Sequence, residues 1–265
     1  MARAGGLMGP GSPDPIVSPG RKPAVLAIHG FGGTPLEVEL VVDVARELGL
    51  EARAPLLPGH GTNTDALALT GYPEWSRAAD AALSEIASPG TPAIVFGLSL
   101  GSLLAAHLAA TRPGEVLALG MLANATRLVR FSTAWPLRLI ERLKLPDFGI
   151  PKTKGADIED PVARKSHLTY SVQRVYGAID VMRTGYRIED ELAKVTCPAF
   201  IAHGAHDHVC PVSNAELVHR ALGSKDKTVV ILPRSAHIVT RDYDRDVLRA
   251  EMVRFVKRVL SRSPS

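Results

Sequence analysis

The sequence is poor in the features that mark a membrane protein, a disulfide framework or a partner for a polyanion. No stretch approaches the roughly 20 apolar residues that a transmembrane helix needs. Residues 1–22 are rich in Gly and Pro and lack the apolar region of a signal peptide, so they are predicted to be a flexible tail and not a leader. There are two cysteines, Cys197 and Cys210. A strand over 199–205 would hold them roughly 20 Å apart, past the ~7 Å Cα limit for a disulfide, so both are read as reduced thiols and a cytoplasmic location is expected. The net charge is only +4. Residues 124–190 hold 12 Lys+Arg against 8 Asp+Glu, which leaves the rest balanced at 19 against 19. That is too little to suggest a nucleic-acid partner, and there is no internal repeat.

What is present is an ordinary globular composition, 46% hydrophobic and 22% charged, over 265 residues, enough for one substantial core with an insertion. Within it, Ala93 to Phe96 is a short apolar run with Ile94 and Val95, predicted to be a buried strand. Ser102 to Ala110 is Leu- and Ala-rich and reads as a helix buried on most sides. Between them lies Gly97-Leu98-Ser99-Leu100-Gly101, which fits the G-x-S-x-G nucleophile elbow. Three fixed positions match by chance in about one chain in ten of this length, so the strand-to-helix setting carries much of the weight. A serine on so sharp a turn needs close neighbours without a Cβ. The turn also aims the Leu100 N–H and a helix N-terminus at an oxyanion formed beside Ser99.

Taken in order, Ala24 to Ile28 is a second buried strand, running into His29-Gly-Phe-Gly-Gly-Thr-Pro35. Thr34 and Glu37 form a capping box with Pro35 at the first helical position, and the helix presents Leu36, Leu40, Val44 and Leu48 on one face. This Gly-rich loop suits an anion or oxyanion, with Gly30 and Gly32 against it; a plain βα turn is the alternative. Ala52 to Leu57 is predicted as an edge strand ending in Pro58-Gly-His-Gly61, and Tyr72 to Ala87 as a helix started by Pro73 and anchored by Trp75. Val116 to Ala123, Ala199 to Ala202 and Thr228 to Leu232 supply three more strands; Asn214 to Leu222 and a stripe of Leu248, Met252, Phe255, Val256 and Val259 supply helices. The alternation predicts an α/β fold with a mostly parallel sheet covered on both faces. It breaks from Asn124 to Asp190, which reads as a helical insertion over the sheet.

A nucleophilic serine needs a base and an acid that orients it, on loops at the same sheet edge. Asp207 follows one strand and His237 the next, in the chain order Ser, Asp, His expected of this architecture. Glu216, inside a helix, and Asp226, in a polar turn, are poorer acids. A metallic alternative is His203, His206, Asp207, His208 and Cys210, which invites comparison with the HxHxDH motif of metallo-β-lactamase-like hydrolases. That motif needs a second His at 205, where this chain has Ala.

H-G-F-G-G-T-P from His29, P-G-H-G from Pro58, G-L-S-L-G from Gly97, G-A-H-D from Gly204 and S-A-H from Ser235 together resemble the α/β-hydrolase superfamily, in its bacterial carboxylesterase and monoacylglycerol-lipase branch. The resemblance spans about Pro23 to Leu260, in order. It implies an α/β-hydrolase fold with core segments 23–123 and 191–262 and a cap at 124–190 roofing an acyl pocket. It implies Ser99 as nucleophile, His237 as base, Asp207 as orienting acid, and the Phe31 and Leu100 N–H groups as oxyanion hole. The expected reaction is hydrolysis of a small-molecule carboxylic ester, with no cofactor and no metal; monoacylglycerols, thioesters or acyl transfer are alternatives, and a fold that only binds ligands is another. Trp135 and Ile140 are expected to line the acyl pocket, and the basic outer face of the cap to attract an anionic lipid interface. One departure is Ser102, where many relatives have Gly.

Overall fold

The strand Ala93–Leu98 (β5) shows how the chain divides its core. Ala93 and Val95 point to one side of the sheet and Ile94, Phe96 and Leu98 to the other, and every residue is buried. Two covered faces explain why this strand reads as a continuous apolar run and not as an alternation. The neighbouring strand Arg21–Ile28 (β3) divides the same way, Ala24, Leu26 and Ile28 against Val25 and Ala27. The structure is a computed structural model and describes residues 6–128, 142–143, 147–152 and 155–262.

Seven strands form the central sheet. In chain order they are Ile16–Ser18 (β2), β3, Leu50–Ala54 (β4), β5, Val116–Leu122 (β6), Ala199–Gly204 (β10) and Lys227–Leu232 (β11). The spatial order is β11-β10-β6-β5-β3-β4-β2, parallel throughout except for β2, which runs antiparallel to β4. One face is covered by helices Tyr72–Ser84, Leu100–Thr111 and Ser213–Ala221; the other by Glu39–Glu47 and Arg245–Arg262. On that second face Phe96, Phe200 and Phe255 form a cluster with ring centroids 5.5 to 6.3 Å apart. The expected stripe of the last helix, Leu248, Met252, Phe255, Val256 and Val259, is the buried one.

Three expectations are corrected. Residues 6–22 are not a free tail: Leu7–Met8 (β1) pairs with Thr169–Tyr170 (β8), and β2 closes the sheet edge. Val17 is 62% exposed, so this strand has no apolar periodicity to announce it. Consequently β4 is not an edge strand. Thr34 and Glu37 make no capping box; the first turn is 3₁₀, the Thr34 hydroxyl has no partner, and the Glu37 carboxylate turns to the preceding loop. The helix that follows buries Val41, Val42, Val44 and Ala45, while Leu36, Leu40 and Leu48 are half-buried.

In the insertion, an antiparallel pair of Gly149–Pro151 (β7) and Val172–Arg174 (β9) leads into the long helix Val175–Glu189, which buries Val175, Ile179, Val181 and Met182. The insertion is therefore not purely helical. Phe131, Trp135, Leu137, Leu139 and Ile140 lie outside the described residues. Among the described residues no helix is long and apolar enough to cross a membrane.

Candidate active site

Ser99 leaves the carboxyl end of β5 with φ 55° and ψ −117°. A non-glycine residue in that region costs about 1–3 kcal/mol and persists only where its surroundings fix it. Here the Ser99 N–H donates to the Leu122 carbonyl at 2.9 Å, while its own carbonyl accepts from the Ser102 N–H at 3.0 Å and the Ser102 hydroxyl at 2.6 Å. The departure at position 102 thus supplies a hydrogen bond that locks the elbow. The flanking glycines are required by close approach: a Cβ on Gly97 would run into the Gly101 carbonyl, and one on Gly101 into the Ile28 carbonyl. Leu100 begins the following helix, and Ser99 itself is 7% exposed.

The loop after β3 lies directly against this elbow; a Cβ on Gly30 would sit 3.2 Å from Ser99 Cβ. Its conformation is held from both ends. His29 Nε2 accepts the Leu57 N–H at 3.0 Å, so its Nδ1 carries the proton and donates to the Gly30 carbonyl at 2.9 Å. Burial lowers the His29 pKa and keeps the ring neutral for that role. The Gly30 N–H donates to Glu37 Oε2 at 3.1 Å, and Glu37 Oε1 lies 3.3 Å from His167 Nε2. Burial alone would raise the Glu37 pKa, but His167, His29 and the Gly30 N–H together outweigh it and the carboxyl is held below the ordinary range. Lys152 reaches Thr169 Oγ1 at 3.5 Å beside Gly32, and burial pulls its pKa down. The Phe31 ring packs edge-on to His60 and tilted against Trp75, where Gly177 leaves it room. His60 is pushed down to about 3, first by burial and then by His29, so it too stays neutral.

Asp207 and His237 leave β10 and β11 at the same sheet edge and meet, His237 Nδ1 to Asp207 Oδ2 at 2.8 Å. Asp207 Oδ1 accepts the N–H groups of Val209 at 2.8 Å and Cys210 at 2.7 Å, and Oδ2 stands 3.1 Å from His203 Nε2. Burial opposes the charge on Asp207, but His237 and His203 outweigh it and the carboxyl is held far below the usual range. His237 is the converse. Burial would lower its pKa, yet the adjacent Asp207 carboxylate, with Cys210 beside it, raises it well above the ordinary histidine value. A carboxylate ion pinned by two backbone N–H groups beside a buried imidazole can fix the ring and stabilise its protonated form.

The five side chains of the metallic alternative do not converge. His206 faces Glu159 at 3.7 Å and His208 faces Asp157 at 2.9 Å, both at the surface, while His203 points into the core at Asp207. The donor atoms that do gather, within 4.8 Å of one another among the described residues, belong to Asp207, Cys210 and His237. The Asp207 carboxylate in that group is already engaged by the bonds above, and burial raises the Cys210 pKa, which disfavours the thiolate a metal would need.

Sequence reasoning placed Ser99, Asp207, His237, Gly30 and Gly32 in loops that the fold assembles at one sheet edge. It missed Glu37 as the loop's support, His203 as a partner of Asp207, and Asp157 and Asp242, which brace the loop of His237. The only signal for these was an acidic or His residue near a motif, and such residues abound on surfaces.

The architecture recurs in known proteins. A metagenome-derived lipolytic enzyme, from work on LipS and LipT, superimposes with TM-score 0.83 at 26% identity over 93% of this chain and 98% of that one. The monoacylglycerol lipase of Paleococcus ferrophilus shares the fold with TM-score 0.78 at 19% identity, over 94% and 100% of the two chains. In sequence the chain is 25% identical to the thermostable monoacylglycerol lipase of Bacillus sp. (strain H-257), over 87% of this chain and 89% of the relative. It is 24% identical to a carboxylesterase of Bacillus subtilis (strain 168), over 94% and 98%. The family described as serine aminopeptidase, S33, matches residues 19–244, and with the elbow and sheet order already in place this chain belongs to that family of α/β-hydrolases.

Proposed function

We propose that this protein is a serine esterase that hydrolyses short-to-medium-chain carboxylic esters through an acyl-enzyme. The observation that carries this reading is the Asp207–His237 hydrogen bond of 2.8 Å, formed by loops that end at the same sheet edge as the strained Ser99 elbow. Asp207 fixes His237 as the Nδ1–H tautomer, leaving Nε2 to take the Ser99 proton as Oγ attacks the ester carbonyl. The N–H groups of Phe31 and Leu100 receive the oxyanion, and the alcohol leaves with the proton from His237. Water, deprotonated by His237, then attacks the acyl carbonyl and releases the acid and Ser99. Gly30 and Gly32 line the substrate beside the oxyanion hole, and no step calls for a cofactor.

Segment 124–190 serves as the cap. In this reading Trp135 and Ile140 are assigned to the acyl pocket, and each methylene buried there contributes roughly 0.8 kcal/mol until the pocket is full. The names of the relatives favour one second reading, the same machinery used on monoacylglycerols. The test is turnover of p-nitrophenyl esters from acetate to palmitate, set beside a monoacylglycerol and an aminoacyl p-nitroanilide. Fastest hydrolysis at butyrate to octanoate supports the proposal. A monoacylglycerol preferred over every p-nitrophenyl ester supports the second reading, and turnover of the anilide alone refutes both.

A further inference from the structure

Outside the triad, one carboxylate touches both loops on which it depends. Asp157 lies in the insertion, between β7 and the short helix Pro161–Ser166. Its Oδ2 accepts the His208 N–H at 2.9 Å and the His237 N–H at 3.3 Å. Its Oδ1 faces His208 Nδ1 at 2.9 Å, and its backbone carbonyl accepts the Ile238 N–H at 3.1 Å. Position 208 follows Asp207 directly, and 237 is the histidine itself. One side chain therefore spans the gap between the acid loop and the base loop.

Asp157 is itself held in place. Asp242, buried behind the loop, accepts the Glu159 N–H at 2.8 Å, the Asp160 N–H at 3.0 Å and the Ala236 N–H at 2.8 Å. Segment 157–160 is thus tied to the base loop on both sides of His237. The Asp207–His237 bond has little slack at 2.8 Å, and triad geometry tolerates displacements of only a fraction of an ångström.

We propose that Asp157 is a positioning residue: by accepting the main-chain N–H groups of His208 and His237 on one oxygen, it sets the distance between Asp207 and His237 and makes the insertion part of the catalytic frame. The proposal rests on the triad reading above. It needs the acceptor oxygen and not the charge. An asparagine can place Oδ1 where Oδ2 stands, keep both main-chain bonds, and offer its amide N–H to His208 Nδ1.

The experiment compares Asp157→Ala, Asp157→Asn and the parent by p-nitrophenyl butyrate kinetics and by the low-field proton resonance of the His237–Asp207 hydrogen bond. In Asp157→Ala kcat should fall at least tenfold with KM within twofold, and the resonance should broaden or vanish. In Asp157→Asn kcat should stay within threefold and the resonance should persist. An alanine variant with parental kcat and resonance overturns the proposal, as does an equal loss in both variants. Should Asp157→Ala fail to fold, amide exchange in the parent decides. The His208 and His237 amides should be protected relative to that of the exposed Val212, and exchange at the free-peptide rate overturns the proposal. The NMR measurements need no turnover, so a failed triad reading, revealed by a Ser99→Ala variant that still cleaves the ester, is told apart from a failure of this one.

Discussion

Replacing Asp207 by Asn changes one atom at the point where four hydrogen bonds converge. Two come from the backbone to Oδ1, from Val209 and Cys210, and two imidazoles face Oδ2. If the amide keeps its oxygen toward the backbone, its NH₂ points at His237 Nδ1, and the ring must present a lone pair there and carry its proton on Nε2. That tautomer cannot accept the Ser99 proton. A loss in kcat of about 10⁴ is then expected, equivalent to about 5 kcal/mol of activation free energy, with little change in KM. If the amide turns over, its NH₂ meets two backbone donors, at a cost of roughly 1–3 kcal/mol. That orientation would lower the melting temperature by roughly 2–12 °C at ~2–4 °C per kcal/mol, whereas retention of the backbone bonds keeps the fold. The pH profile supplies an independent sign. As the proposed base His237 works only when neutral, and Asp207 raises its pKa, so the acid limb of kcat/KM in the parent should lie above the ordinary histidine value of 6.5. In Asp207→Asn burial loses its largest opponent, with Cys210 left to oppose it, and the residual activity should show its limb at lower pH. Assayed with p-nitrophenyl butyrate from pH 5 to 9, a variant within tenfold of the parent, or with its limb unmoved, refutes the orienting role of Asp207.

Three further outcomes follow from the same geometry. Gly101→Ala pushes a Cβ into the Ile28 carbonyl and should destabilise by about 3 kcal/mol, seen in calorimetry as a loss of roughly 6–12 °C; an unchanged melt contradicts the packing of the elbow. Glu37→Ala leaves the buried Gly30 N–H without its acceptor and should cost roughly 1–3 kcal/mol in denaturant unfolding and lower kcat about tenfold, whereas parental values in both would mean the loop holds its shape unaided. Trp135→Ala should shift the acyl-chain-length profile without abolishing turnover, and a profile superimposable on the parent's removes Trp135 from the pocket wall.

The parts legible in the sequence are those in which a local rule and the global fold ask for the same residues. Strands β3, β5, β6 and β10 are buried on both faces, so their apolar runs stand out, and the elbow glycines are fixed by backbone contacts that no other residue allows. Strand β2 escaped because Val17 faces solvent and three residues show no period. The capping-box pattern at Thr34 and Glu37 misled because the same carboxylate had a stronger use: a buried loop N–H at 3.1 Å, with His167, from 130 residues away, as second partner. Asp157 was invisible for a like reason. Its bonds reach 51 and 80 residues along the chain, and no local spacing encodes them. Asp207 and His237 were legible because each lies in the loop that leaves a strand, where parallel topology brings loop ends together.

Whether Ser99 is the nucleophile of a carboxylic-ester hydrolase is decided by active-site labelling. The protein is treated with a fluorophosphonate probe, digested and sequenced by mass spectrometry, alongside Ser99→Ala assayed on p-nitrophenyl butyrate. A nucleophilic Ser99 gives a single adduct on Ser99 in the parent, no adduct in the variant, and ester turnover reduced to the level of buffer while the melting curve is retained. An adduct on another serine, or a variant that still cleaves the ester, contradicts it.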